Sequence, residues 1–238
     1  MKKLEKIVII CGHYGSGKTN FAVNLAMDLR RQGHAVTLTD MDIVNPYFRS
    51  SDHAEMLQSV GIKVISPVYA NTNLDAPAIP ASMYSAFETD GYSIFDMGGD
   101  DAGATVMGQF IKNIKDKQYD ILYVINKTRS MIENEKEAQE MLLSIEKASR
   151  LKATYIVNNT HLKDYTDAKM IFESVSYAKK VSVLLKLDIL CTTYPKKIMT
   201  SNDIRAYGEI LYDLYPVEVF VKTPWEAIEG GRNIWQEQ

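Results

Sequence analysis

Cys11-Gly12-His13-Tyr14-Gly15-Ser16-Gly17-Lys18-Thr19 is the stretch that decides the fold. From Gly12 to Thr19 it holds a glycine, four spacers and Gly-Lys-Thr, the spacing of a phosphate-binding loop. The flanks agree with that reading. Ile7-Val8-Ile9-Ile10 is an apolar run of strand type, and Phe21, Ala22, Leu25, Ala26 and Leu29 recur at helical spacing behind the loop. A strand, a glycine-rich turn and a helix N-terminus together form an anion cradle, because glycines let backbone N–H groups wrap the phosphate oxygens and the helix dipole adds positive charge. In that arrangement His13, Tyr14, Gly15, Ser16 and Gly17 line the cradle. Lys18 reaches the β- and γ-phosphates, and Thr19 offers a hydroxyl to Mg²⁺.

Working outward, Arg31-Gln32-Gly33-His34 stops the first helix, and Ala35 to Thr39 reads as a second strand ending at Asp40. Asp40 and Asp42 then stand at a strand's carboxyl end, where open α/β sheets bind ligands, and lead into the loop Ile43 to Arg49. A fourth strand, Tyr92 to Asp96, delivers another acid. Asp96-Met97-Gly98-Gly99 places a carboxylate in the metal's outer shell and a glycine where a backbone N–H approaches the γ-phosphate. Between these lie a helix over 52–60, a strand over 62–65, and a connection from Ser66 to Pro80 that carries Pro67, Pro77 and Pro80. That connection reads equally as a functional segment or a solvated loop.

Downstream, the spacing predicts a helix over 106–114, a strand over 121–125, a helix over 138–145, a strand over 153–157 ending at Asn158, and a helix from Ala168. It further predicts a strand around 183–190, a helix over 202–214, an edge strand over 217–220 and a capped helix from Thr223 to Gly231. Alternation of this kind gives a doubly wound α/β fold, a mostly parallel sheet of seven or eight strands with helices on both faces. One domain is expected over 1–238, with its core at about 6–200 and a C-terminal helix, edge strand and tail over 201–238.

Composition narrows the function. Of 238 residues, 27 are Lys or Arg and 30 are Asp or Glu, a net charge of -3 that provides no basic field for nucleic acid or an anionic membrane. Cys11 and Cys191 are far apart and in no paired motif, which argues against disulfides and metal clusters. The charged N-terminus leads straight into the loop through too short an apolar run for a signal peptide, and no stretch reaches membrane-spanning length. The expectation is a cytoplasmic protein.

The ordered set Gly12 to Thr19, Asp40-Met41-Asp42, Asp96-Met97-Gly98-Gly99 and Asn158 resembles the MinD/ParA class of ATPases, which includes the nitrogenase iron protein. The resemblance implies a first switch at Asp40 and Asp42, a second at Asp96 and Gly99, and catalysis by positioning and charge stabilisation. It also implies that Asn158 reads the adenine edge while the Cys191 to Pro195 segment lines the base from the other side. His13 stands where that class usually has a second lysine that crosses a dimer to the partner's phosphates. An imidazole is shorter and, with an ordinary pKa near ~6.5, mostly neutral, which weighs against a nucleotide-sandwich homodimer. Arg49 reads either as a cation for the transition state or as a solvated surface arginine.

Asn126-Lys127-Thr128-Arg129 has the start of a guanine-reading motif but puts Arg129 where an acid must accept the guanine N–H groups, favouring ATP over GTP. The expected function is a slow Mg²⁺-ATP hydrolase that acts as a switch for a partner protein. The alternative is an ATP-dependent small-molecule kinase or a synthetase of the cobyrinate and dethiobiotin synthetase branch.

Overall fold

Five consecutive buried residues form β1 (Ile7–Cys11). An unbroken apolar run fits a strand covered on both faces, the condition of a parallel sheet. The computed structural model describes residues 2–42, 53–66, 81–99, 101–129, 134–162, 165–207 and 213–220. Its other strands are β2 (Val36–Met41), β3 (Lys63–Ile65), β4 (Tyr92–Met97), β5 (Tyr119–Ile125), β6 (Tyr155–Asn158), β7 (Asp188–Pro195) and β8 (Leu214–Val217). All eight pair in parallel in one sheet, ordered β3-β2-β4-β1-β5-β6-β7-β8. β1 is therefore central. The chain leaves it for β2 and β3 on one side, returns to β4, and then builds outward through β5 on the other. That reversal of direction opens a crevice at the carboxyl ends of the strands beside β1, where such sheets bind ligands.

The helices are α1 (Lys18–Arg31), α2 (Ala54–Ser59), α3 (Ala81–Ser85), α4 (Asp101–Gln109), α5 (Ile111–Ile114), α6 (Glu135–Ser149), α7 (Ala168–Leu185) and α8 (Ser201–Tyr207). Strand residues alternate between the two faces, and two cores follow from that alternation. Val8 and Ile10 pack with Phe21, Leu25 and Leu29 of α1 and Leu57 of α2. Ile7, Ile9 and Cys11 pack instead with Met107 of α4, Leu142 of α6 and Val181 of α7. Helices thus cover both faces, as the apolar runs predicted.

Several boundaries differ. The strand expected around 183–190 begins only at Asp188, because α7 continues to Leu185. Val183 and Leu184 lie on its outer side, Val183 79% exposed, and Lys186 ends the helix with a left-handed φ of 56°. The apolar stripe over 106–114 serves two helices, α4 and α5, that break at Phe110. Leu214, expected at the end of a helix, opens β8, whose alternating burial marks it as a strand.

Residues 218–220, expected within the edge strand, lie along α1 instead. Asn20 and Asn24, one turn apart on α1, donate side-chain N–H groups to the Glu218 carbonyl at 3.0 and 2.8 Å. Their side-chain oxygens accept from the N–H groups of Phe220 and Glu218, each at 2.8 Å. The first-switch loop from Ile43, including Arg49, the connection from Pro67 to Pro80 and the helix expected from Thr223 lie outside the described residues.

Candidate nucleotide site

Three glycines let the loop after β1 take its shape. Gly12, at φ 146°, is so close to β5 that a Cβ there would lie 2.3 Å from the Val124 carbonyl oxygen. Gly15 and Gly17 have φ of 74° and 89°, the left-handed region that side chains disfavour. The Ser16 N–H closes the turn on the His13 carbonyl at 3.1 Å, and Gly17 caps α1. Lys18 is buried, its Nζ donating to the His13 carbonyl at 3.1 Å. Ser16 is fully buried and its Oγ has no hydrogen-bond partner among the described residues, while Tyr14 stands 52% exposed at the rim.

Two carboxylates lie beneath this loop. Asp40 of β2 and Asp96 of β4 are in register on neighbouring strands, both essentially without solvent exposure. Parallel strands lie about 4.8 Å apart, so the two acids point to one face as close neighbours. Ile10 of β1 is in register with Asp96, which puts both acids on the α1 face. Burial foremost, and then the Asp40 charge, push the Asp96 carboxyl up to about 7, against the lowering influence of Lys18 and a hydrogen bond with Thr19. One Asp96 oxygen, Oδ1, is buried without a hydrogen-bond partner among the described residues. Asp42, half-buried, donates its backbone N–H to Asp40 Oδ1 at 3.0 Å.

Such an all-oxygen set suits a hard divalent cation. Two buried acids in register are costly without a compensating charge, and an orphaned carboxylate oxygen beside the Thr19 hydroxyl is the donor such an ion takes. The residues present therefore fit the cation. Gly99 completes the enclosure, since a Cβ there would come within 2.6 Å of the Tyr14 nitrogen and 2.9 Å of Lys18 Nζ.

The third part is a pair of Asn-initiated turns after β5 and β6. Asn158 is fully buried, with Nδ2 donating to Ser174 Oγ of α7 at 2.8 Å and Oδ1 accepting from Thr160 Oγ1 at 2.8 Å. Its neighbour Asn159 is the residue that meets the phosphate loop, donating Nδ2 to the Ser16 carbonyl at 2.7 Å while Oδ1 accepts from Thr193 of β7. A Cβ on Gly17 would lie 2.2 Å from that same Nδ2. Asn126 donates to the His161 carbonyl at 3.1 Å, and the Lys127 N–H to Thr160 Oγ1 at 3.1 Å, locking the two turns together. Arg129 follows, with its guanidinium against Gly15. Pro195 ends β7, buried, on the side of the sheet away from β1.

Geometry therefore joins Gly12 to Thr19, Asp40, Asp96 and Gly99 directly, and sets Asp42 at their margin. Asn159 and Arg129 were not predicted as site residues. For Asn159 a signal existed: it is the first residue beyond a strand's carboxyl end, the position that faces ligands in such sheets. His13 is held below its ordinary pKa, first by burial and further by the charges of Lys18 and Arg129, and so is neutral near pH 7. Both cysteines are buried thiols pushed up to about 12 by desolvation, consistent with strand packing.

A parallel sheet with a glycine loop between its central strand and a helix, and acids on the flanking strands, defines a P-loop nucleotide-binding protein. The family described as "CobQ/CobB/MinD/ParA nucleotide binding domain" matches residues 7–184, and the chain belongs to it. A curated relative, the signal recognition particle 54 kDa protein of Sulfurisphaera tokodaii, is 28% identical over 116 residues, 48% of this chain and 24% of that protein. Among solved structures, FtsY of Mycoplasma mycoides aligns with a TM-score of 0.54 at 16% identity, over 79% of this chain and 59% of that one. FtsY of Thermotoga maritima gives 0.51 at 18%, over 81% and 63%. The signal recognition particle 54 kDa protein of Aeropyrum pernix, in complex with GDP, gives 0.50 at 17%, over 81% and 42%. The chain spans about a quarter of the curated relative's length and less than two thirds of each of these structures, and the likeness to them is one of fold. No helix among the described residues is long and apolar enough to cross a membrane.

Proposed function

We propose that the chain binds Mg²⁺-ATP, hydrolyses it slowly and acts as a nucleotide-dependent switch read by a partner protein. The observation that carries this reading is the contact of Gly99 with Tyr14 and Lys18, which presses the start of the second switch against the phosphate loop. A segment in van der Waals contact with the loop must respond to what the loop holds, and order changes of this kind are how such switches signal. With nucleotide bound, Lys18 would trade the His13 carbonyl for phosphate oxygens, Thr19, Asp40 and Asp96 would hold the cation, and Asp42 would help orient the attacking water. The cation would supply positive charge that neutralises the phosphates.

Adenine over guanine rests on two turns. Neither Asn126 to Arg129 nor Asn158 to His161 carries a carboxylate three residues after its first Asn, so neither offers the acceptor that guanine N–H groups require. Affinities for ATP and GTP, with and without Mg²⁺, decide the point: tighter ATP binding that Lys18→Ala abolishes is expected, and preference for GTP overturns the choice of base.

One observation favours a second reading, the small-molecule kinase or synthetase. A cavity of about 330 Å³ opens beside the two locked turns, lined by Lys127, Thr128, Thr160, Asp167, Met170 and Ser174, in the size range of small-ligand sites. Product analysis with ATP and candidate metabolites separates the two, since a switch releases only ADP and phosphate. Two buried, unpaired cysteines favour a cytoplasmic setting, and a net charge of -3 weighs against nucleic acid or an anionic membrane as the partner.

A further inference from the structure

We propose that Arg129 is a phosphate-contacting residue, supplying in cis the second positive charge that His13 does not bring to the loop. The inference rests on the nucleotide-binding reading above. Its ground is placement: a Cβ on Gly15 would lie 3.4 Å from Arg129 Nε, 3.6 Å from Cδ and 3.7 Å from Cζ, so the guanidinium lies on the loop's third spacer. Its Nε is buried and has no hydrogen-bond partner among the described residues, although a guanidinium carries five N–H donors and an unsatisfied buried donor is costly.

The loop offers no carboxylate to balance that charge. Residues 12 to 19 contain no acid, and Asp96 and Asp40 lie beneath, next to Lys18. Lys18 Nζ bonds the His13 carbonyl, and the charges of Lys18 and Arg129 both disfavour a proton on the His13 ring. An anion seated in the loop would supply the partner that buried Nε lacks among the described residues, and a guanidinium can bind phosphate with two parallel N–H bonds. The position is held firmly. The Arg129 N–H donates to the Asn126 carbonyl at 3.1 Å, and the Asn126 side chain accepts from both the N–H and hydroxyl of Thr128, fixing the turn that presents the arginine.

The test measures ATP, ADP and AMP affinities of the full chain and of Arg129→Ala, Arg129→Gln, Arg129→Lys and Lys18→Ala, with melting temperatures taken without nucleotide. Loss of one charge-assisted contact should weaken ATP and ADP by about 10- to 100-fold in the Ala and Gln variants, and AMP less. Lysine should recover most of the loss, with melting unchanged. ATP affinity within twofold of wild type in Arg129→Ala, while Lys18→Ala still loses binding, overturns the role of Arg129 and leaves the ATP reading standing. Equal losses for all three nucleotides with a lowered melting temperature, not rescued by lysine, make Arg129 a strut for the loop and also overturn the proposal. A wild-type chain that binds no ATP overturns both.

Discussion

Asp96 keeps its proton to about pH 7 because burial and the neighbouring Asp40 both oppose its charge. In the unfolded chain an aspartate ionises near ~3.9, so between roughly pH 4 and 7 the folded state holds a proton that the unfolded state has lost. Stability therefore falls as pH rises through that window and levels off above it. Asp96→Asn removes the ionisation and should stabilise the protein at pH 8 by a few kcal/mol, with the gain shrinking toward pH 4. Chemical denaturation of both proteins at several pH values reads this directly, and a pH-independent difference would contradict it. Gly17 makes the opposite case. Alanine there meets Asn159 Nδ2 at 2.2 Å and takes a φ of 89°, so Gly17→Ala should abolish nucleotide binding while costing about 1–3 kcal/mol in stability. Near-native nucleotide affinity in that variant would remove Asn159 from its place against the loop.

Among the elements, α6 and α1 contrast a local signal with a distant one. Asn134 caps α6 by accepting from the Lys136 and Glu137 N–H groups, and Glu137 answers with a bond from the Asn134 N–H, a pattern visible in four consecutive residues. Asn134→Ala should cost about 1 kcal/mol, a melting shift of roughly 2–4 °C, and leave nucleotide affinity unchanged. Asn24 looks like an ordinary polar residue in a helix, yet it is 6% exposed and its amide holds the backbone of Glu218, 194 residues away. Asn24→Ala should cost about 2–3 kcal/mol by stranding buried backbone groups, and hydrogen exchange at residues 218–220 should rise with it. The phosphate loop, the strands and both acids were legible because each is written in a short window of sequence. The placement of Arg129 and the α1 clasp were not, since they exist only once distant segments meet, and Asn159 showed only as the first residue beyond a strand's carboxyl end. The misplaced strand around 183–190 has a different cause: β-branched Val183 suits a strand by propensity, but packing of α7 overrides it.

Across the whole molecule, the loop at residues 12–19 is short in sequence but assembled from afar. Val124, Arg129 and Asn159 approach it from β5 and β6, Gly99 from β4, and the helix it opens is clasped by residues 218–220. Loop-closure entropy makes such contacts late events in folding, and a parallel sheet defers them further. During synthesis, the phosphate-loop motif is thus made before residues 99, 124, 129, 159 and 218–220, which complete its surroundings. A fragment of residues 1–130 should carry the entire phosphate-loop motif and still fail to retain ATP in equilibrium dialysis, whereas the full chain retains it. Nucleotide capture would then report that these distant segments have met around the loop.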